Sequence, residues 1–88
     1  MWVVYYLRCA DGSIYTGITN DLSRRLEAHN TGLGARYTRS RLPVRLIGFE
    51  PFKTRSDAAS REWHVKRLSR DEKIGLLAVL KFHGLAAH

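Results

Sequence analysis

The sequence predicts a small α/β fold of the α+β kind, with a three-stranded antiparallel sheet flanked by helices in the order β-β-α-β-α-α. Three observations carry that prediction. Residues 2–19 form two apolar, aromatic and β-branched runs separated by Asp11-Gly12, the signature of a hairpin. Capping residues then open three amphipathic stretches, with one more strand-like run between the first and second. The chain has 88 residues, 44% of them hydrophobic. That suits one domain over 1–88 with a single modest core.

The elements follow in order. Trp2 to Cys9 is rich in Val and Tyr and has no polar alternation, which suits a strand buried on both faces. Ser13 to Thr19 resumes strand character after the turn. Asn20 or Asp21 caps a helix running to about Asn30, and Gly32 ends it. Gly32-Leu33-Gly34 reads as a loop, and Arg36 to Arg41 as a short basic stretch. Pro43 to Phe49 is the third strand. Thr54 to Ser56 opens a second helix that runs to about Leu68. Ser69 and Glu72 match a capping box, in which each side chain satisfies the other's free amide. The third helix therefore spans about Arg70 to Phe82 and ends near Gly84.

Charge narrows the function. Lys and Arg number 15 against 8 Asp and Glu, a net +7 on a very small surface. Such a field attracts polyanions, nucleic acid first among them. No apolar run approaches membrane-spanning length. The N-terminus lacks the basic leader and small-residue cleavage site of a signal peptide. The single cysteine, Cys9, forms no internal disulfide and fits a reducing compartment. A cytoplasmic protein without a membrane partner is expected, and no residue names a protein partner.

Several polar residues fall where core residues belong. Leu22, Arg25, Leu26 and His29 share one face of the first helix, so a sheet that buries the two leucines also draws Arg25 and His29 inward. A buried arginine needs an anion, a carboxylate partner or a polar cleft. Alone, His29 reads as a satisfied structural histidine. Glu62 lies beside the stripe of Ala58 and Val65, one turn before Lys66; taken alone, that spacing is an ordinary surface salt bridge. Tyr5, Tyr6 and Tyr15 read as core tyrosines whose hydroxyls find partners. Gly17, inside a strand, marks close approach of another group. His29, His64, His83 and His88 are scattered and lack zinc-ligand spacing, and no phosphate-binding glycine loop is present.

Together these residues resemble the GIY-YIG endonuclease superfamily, specifically its small stand-alone bacterial members, over about Trp2 to Leu80. Val3-Val4-Tyr5 stands at the first tripeptide and Tyr15-Thr16-Gly17 at the second. Arg25, His29 and Glu62 stand at the family's arginine, histidine and glutamate positions. The first tripeptide lacks its glycine and isoleucine, the second carries Thr16 in its middle, and no asparagine follows Asn30.

The resemblance implies a metal-dependent endonuclease that hydrolyses DNA phosphodiester bonds with little sequence preference, in the company of DNA repair or recombination enzymes. It implies Tyr5 as general base, Tyr15 as an orienting group, Arg25 as a phosphate clamp and His29 as a proton acceptor. Glu62 would hold Mg²⁺ or Mn²⁺ with waters and phosphate oxygens. Arg36, Arg39, Arg41, Arg61, Lys66, Arg67, Arg70 and Lys73 would meet the DNA backbone. A nucleic-acid-binding module that keeps the fold without catalysis is the alternative.

Overall fold

A computed structural model of the chain describes residues 1–82. Strands β1 (Trp2–Arg8), β2 (Ile14–Thr19) and β3 (Arg45–Phe52) form an antiparallel sheet in the order β2-β1-β3. Helix α1 (Leu22–Asn30) and a short α2 (Arg36–Arg39) precede β3; α3 (Arg55–Lys66) and α4 (Arg70–Phe82) follow it. The expected order holds, with α2 added where the sequence showed only a basic stretch. Four residues are too few for a helical period to register. The expected end of the last helix near Gly84, with His83 and His88, lies outside the described residues.

The unbroken apolar run of β1 makes it the central strand, covered on both faces. Val4 and Tyr6 point to one side, against Ala58 and Val65 of α3 and Leu76, Leu77 and Leu80 of α4. Tyr5, Leu7 and Cys9 point to the other, against Leu22 and Leu26 of α1 and against Val44. The period-2 alternation of one strand thus divides the interior in two.

Strand β3 begins two residues later than expected and runs three residues further. Its late start has a visible cause. The amide of Val44 donates to Asn30 Oδ1 at 2.9 Å, and Asn30 Nδ2 donates to the Val44 carbonyl at 3.2 Å. This side chain takes both backbone groups, so the ladder opens only at Arg45, opposite Arg8. The strand tolerates Pro51 because β3 lies at the sheet edge, where a missing amide costs no ladder bond on the open side. A bulge between the Tyr6–Gly48 and Leu7–Leu46 pairs leaves Ile47 unpaired. It turns Ile47 to the α4 side while Leu46 and Phe49 both face α1.

The helix ends are built as their sequences require. Asp21 caps α1, accepting the Arg24 amide at 3.2 Å. Gly32, at φ +81°, closes it, with Leu33 N donating to Ala28 O and Gly32 N to His29 O. Thr54 caps α3 through the Asp57 amide at 3.1 Å. The capping box on α4 is reciprocal, with Ser69 N to Glu72 Oε1 at 3.0 Å and Glu72 N to Ser69 Oγ at 3.2 Å. Among the described residues, no helix is long and apolar enough to cross a membrane.

Candidate active site

The centre of the site is the hydroxyl of Tyr5. It lies 2.9 Å from His29 Nε2 and accepts from Arg25 Nε at 3.3 Å. Residues 25 and 29 stand one helical turn apart, so the α1 stripe that seats Leu22 and Leu26 brings both to the same phenol. Tyr5 and His29 are fully buried, while Arg25 is half-exposed and can reach an incoming anion.

The hydrogen bonds around His29 can be satisfied with the proton on Nδ1. Thr38 Oγ1 donates to the Ala35 carbonyl at 2.9 Å, which uses its only proton. With that proton on the Ala35 carbonyl, its 2.8 Å contact with His29 Nδ1 runs from a protonated Nδ1 to the hydroxyl oxygen. Nε2 is left as an acceptor, and Tyr5 donates to it. The 3.5 Å approach of the Ala35 amide to Nδ1 is too long to compete.

Electrostatics agree with a neutral pair. Burial, and then the charge of Arg25, push His29 below its ordinary range. Burial raises the Tyr5 pKa, against the lowering effect of the Arg25 hydrogen bond. The hydrogen bond to Tyr5 in turn raises the Arg25 pKa, against the lowering effect of burial. Both Tyr5 and His29 are therefore uncharged at neutral pH, and Arg25 carries the positive charge.

Two glycines make room. Gly17 lies directly opposite Tyr5 on the β1–β2 ladder, and a Cβ there would sit 2.5 Å from Tyr5 Oη and 2.6 Å from Cζ. Gly34 does the same for His29, where a Cβ would overlap Nδ1 and lie 2.8 Å from the backbone Cα. Gly17 was legible as a close-approach glycine. Gly34 read only as loop, because its residue type does not say that the loop folds back onto the His29 ring.

Tyr15 sets its ring against both Tyr5 and His29, at centroid distances of 6.3 and 5.3 Å. Behind it Tyr37, on α2, stacks at 5.9 Å, and the Arg41 guanidinium lies 3.9 Å from the Tyr37 ring centre. Thr38, Gly34 and Tyr37 are the site residues that sequence reasoning missed.

Glu62 arrives from α3, on the opposite side of the sheet from α1. β2 is an edge strand, and Lys66 of α3 reaches Tyr15, with its Nζ 5.8 Å from the ring centre. Lys66 also pairs with Glu62 at 3.3 Å. The carboxylate stands close enough that its charge helps raise the Tyr5 pKa. Among the described residues, no three His, Cys, Asp or Glu side chains converge. A lone, partly exposed carboxylate suits a hard cation that keeps most of its water, and so fits Mg²⁺ or Mn²⁺.

The predicted backbone-binding residues are not gathered at this site but lie on several elements. Arg36 and Arg39 are exposed on α2. Arg41 is held by Asp11 at 2.9 Å, and Arg61 by Glu50 at 3.1 Å. Arg67 lies over the Trp63 ring at 4.6 Å, on the outer side of α3. Arg70 and Lys73 lie at the hairpin end, where Arg70 donates to the Gly12 carbonyl at 2.8 Å.

The chain is similar to several known proteins. A UPF0213 protein of Clostridium perfringens is 51% identical over 85% of this chain and 81% of its own length. One from Nitratidesulfovibrio vulgaris is 49% identical over 91% of this chain and 73% of its own. The solution NMR structure of a UPF0213 protein from Bacillus halodurans superposes with a TM-score of 0.60 at 45% identity, covering 90% of this chain and 85% of that one. Residues 1–74 match the GIY-YIG catalytic domain, and the chain belongs to the GIY-YIG nuclease family.

Proposed function

We propose that the chain is an endonuclease that hydrolyses DNA phosphodiester bonds with the help of a divalent cation and with little sequence preference. One observation carries the reading: a buried tyrosine hydroxyl that shares a hydrogen bond with a neutral histidine and accepts from a half-exposed arginine. A merely structural tyrosine needs one partner. This one sits in a relay whose far end is ready to take a proton.

The relay needs no tyrosinate. Tyr5 Oη has a lone pair left for a water. As that water attacks phosphorus, its proton passes to Tyr5 while the Tyr5 proton passes to His29 Nε2. Thr38 holds the ring in the tautomer that can receive it. The imidazolium that forms is disfavoured by Arg25 alone, but a phosphate clamped on Arg25 offsets that repulsion. Tyr15 packs against both rings and keeps them aligned. Glu62 would hold the cation, which when bound would supply positive charge to the phosphate and the leaving oxygen.

A second reading, a nucleic-acid-binding module without cleavage, is favoured by the Glu62–Lys66 pair and by the lack of an asparagine after Asn30. Labelled single-stranded, duplex and branched DNA, incubated with Mg²⁺ or Mn²⁺ and with chelator, separates the two. Tyr5→Phe is expected to lower cleavage by roughly 10²- to 10⁴-fold. Glu62→Ala should abolish metal-dependent cutting while both variants still bind DNA. Binding without cutting by the unsubstituted chain selects the module.

A further inference from the structure

One cavity lies away from Tyr5. It measures about 570 Å³ and opens at the hairpin end of the sheet, between β3 and α4. Arg8, Arg45 and Arg70 line it, from three different elements. Alternation along β1 puts Arg8 on the side of Val4 and Tyr6, opposite the face that carries Tyr5.

Its charges are unusual. Arg8 and Arg45 stand directly opposite each other in the β1–β3 ladder. Like charges in that position repel. Among the described residues neither has a carboxylate partner, and no acidic side chain lines the cavity. Asp11, on the adjoining turn, is already held by Arg41. The carbonyl of Gly12 fixes Arg70 at the rim. The floor is apolar: Ile47, turned to the α4 side by the bulge and partly buried, and Ile74 and Leu77 of α4, with Ile74 46% exposed. Three convergent guanidiniums ask for a phosphate, and the apolar floor beside them asks for a flat organic body attached to it.

We propose that this cavity is a second nucleic-acid contact that takes one nucleotide unit of a strand. The phosphate lies on Arg8, Arg45 and Arg70, and the sugar and base lie on Ile47, Ile74 and Leu77. This contact anchors the strand away from the Tyr5 site. It rests on nucleic acid being the substrate, but it does not depend on cleavage.

The test uses the isotope-labelled full chain carrying Glu62→Ala, in chelator, so that no cutting enters the readout. Deoxythymidine monophosphate should shift the amide signals of Arg8, Arg45, Ile47, Ile74 and Leu77, and at concentrations at least about tenfold lower than inorganic phosphate requires. Shifts confined to the Tyr5 and Arg25 side, or equal affinity for inorganic phosphate, would overturn the proposal. In a second arm, Arg8→Ala with Arg45→Ala should weaken binding of a single-stranded oligonucleotide about tenfold and lower the salt slope by roughly one. Its melting temperature should be unchanged or higher, because a repulsion is removed. Lys53→Ala with Arg55→Ala removes the same charge elsewhere, and an equal loss there overturns the proposal too. Absence of cleavage by the unsubstituted chain would sink the nuclease reading alone and leave these binding results to stand or fall separately.

Discussion

Tyr5, His29 and Arg25 form a unit in which each side chain sets the charge of the next. Burial and Arg25 hold His29 below its ordinary value of 6.5, so the ring is neutral where the protein works. The sign of the pH dependence follows. The unfolded chain protonates this histidine near pH ~6.5, and the folded one only at lower pH. Between those two values the unfolded state binds more protons, so stability is complete above the window and falls as pH drops through it. If the proposed relay operates, cleavage needs the neutral ring and should fail on the acid side as His29 itself titrates. An NMR titration of the ring checks this: the midpoint should lie below 6.5 and should rise in Arg25→Gln, which removes the charge. A midpoint that ignores Arg25 would break the link.

Gly17 offers a second probe at the same hydroxyl. Alanine there would push on Tyr5 Oη, Cζ and Cε1, all within 3.0 Å of the new Cβ. Overpacking of this kind costs about 1–3 kcal/mol, and here the strain falls on the Tyr5–His29 bond. Gly17→Ala is therefore expected to lower the melting temperature and to cut activity further than the stability loss explains. Full activity with an unchanged melting curve would show that the phenol has room to move. The neighbouring Thr16 is a different departure from the family pattern, since its buried hydroxyl has no hydrogen-bond partner among the described residues.

Helix α1 carries both Arg25 and His29, so its first turn matters to chemistry as well as to folding. Asp21 supplies its cap through the Arg24 amide. Asp21→Ala should cost about 1 kcal/mol of stability. It should also weaken cleavage at temperatures where the fold is intact, because Arg25 stands one turn from the frayed end. Ser69→Ala, at the cap of α4, should cost a similar amount without touching cleavage. Chemical denaturation paired with activity at a fixed low temperature separates the two; an equal effect of both variants on cleavage would contradict this division. The short α2 has an equally specific task. It delivers Thr38 to His29 and Tyr37 to Tyr15, so the basic stretch between α1 and β3 is a wall of the site.

Across the whole molecule 15 Lys and Arg outnumber 8 Asp and Glu, a net +7. Binding to nucleic acid should therefore be steeply salt-dependent, with each neutralised phosphate adding roughly 0.7 to the logarithmic slope on single strands and 0.9 on duplexes. Binding measured across a range of salt checks this, and a flat dependence with strong sequence preference would contradict it. The sheet also separates two surfaces. The Tyr5 relay faces α1, and the arginine-lined cavity faces α4, so the sheet is the partition between chemistry and the proposed anchor.

Much of this was legible from the order of residues. The apolar run of β1 dictated a central strand, and the hairpin turn and the helix caps lie where the residue types demand them. The α1 stripe required Arg25 and His29 to turn inward with Leu22 and Leu26, because residues one turn apart share a face whatever the rest of the chain does. Local periodicity specifies faces, but it does not say which faces meet. That Arg25 and His29 share the hydroxyl of Tyr5, that Thr38 meets His29 Nδ1, and that Gly34 clears space for the ring were decided by contacts between residues up to 24 positions apart. The sidedness of the molecule was decided in the same way. Helices α1 and α3 cover opposite faces, and Glu62 approaches the site past the edge strand β2, because only the folded sheet determines which strand is left open.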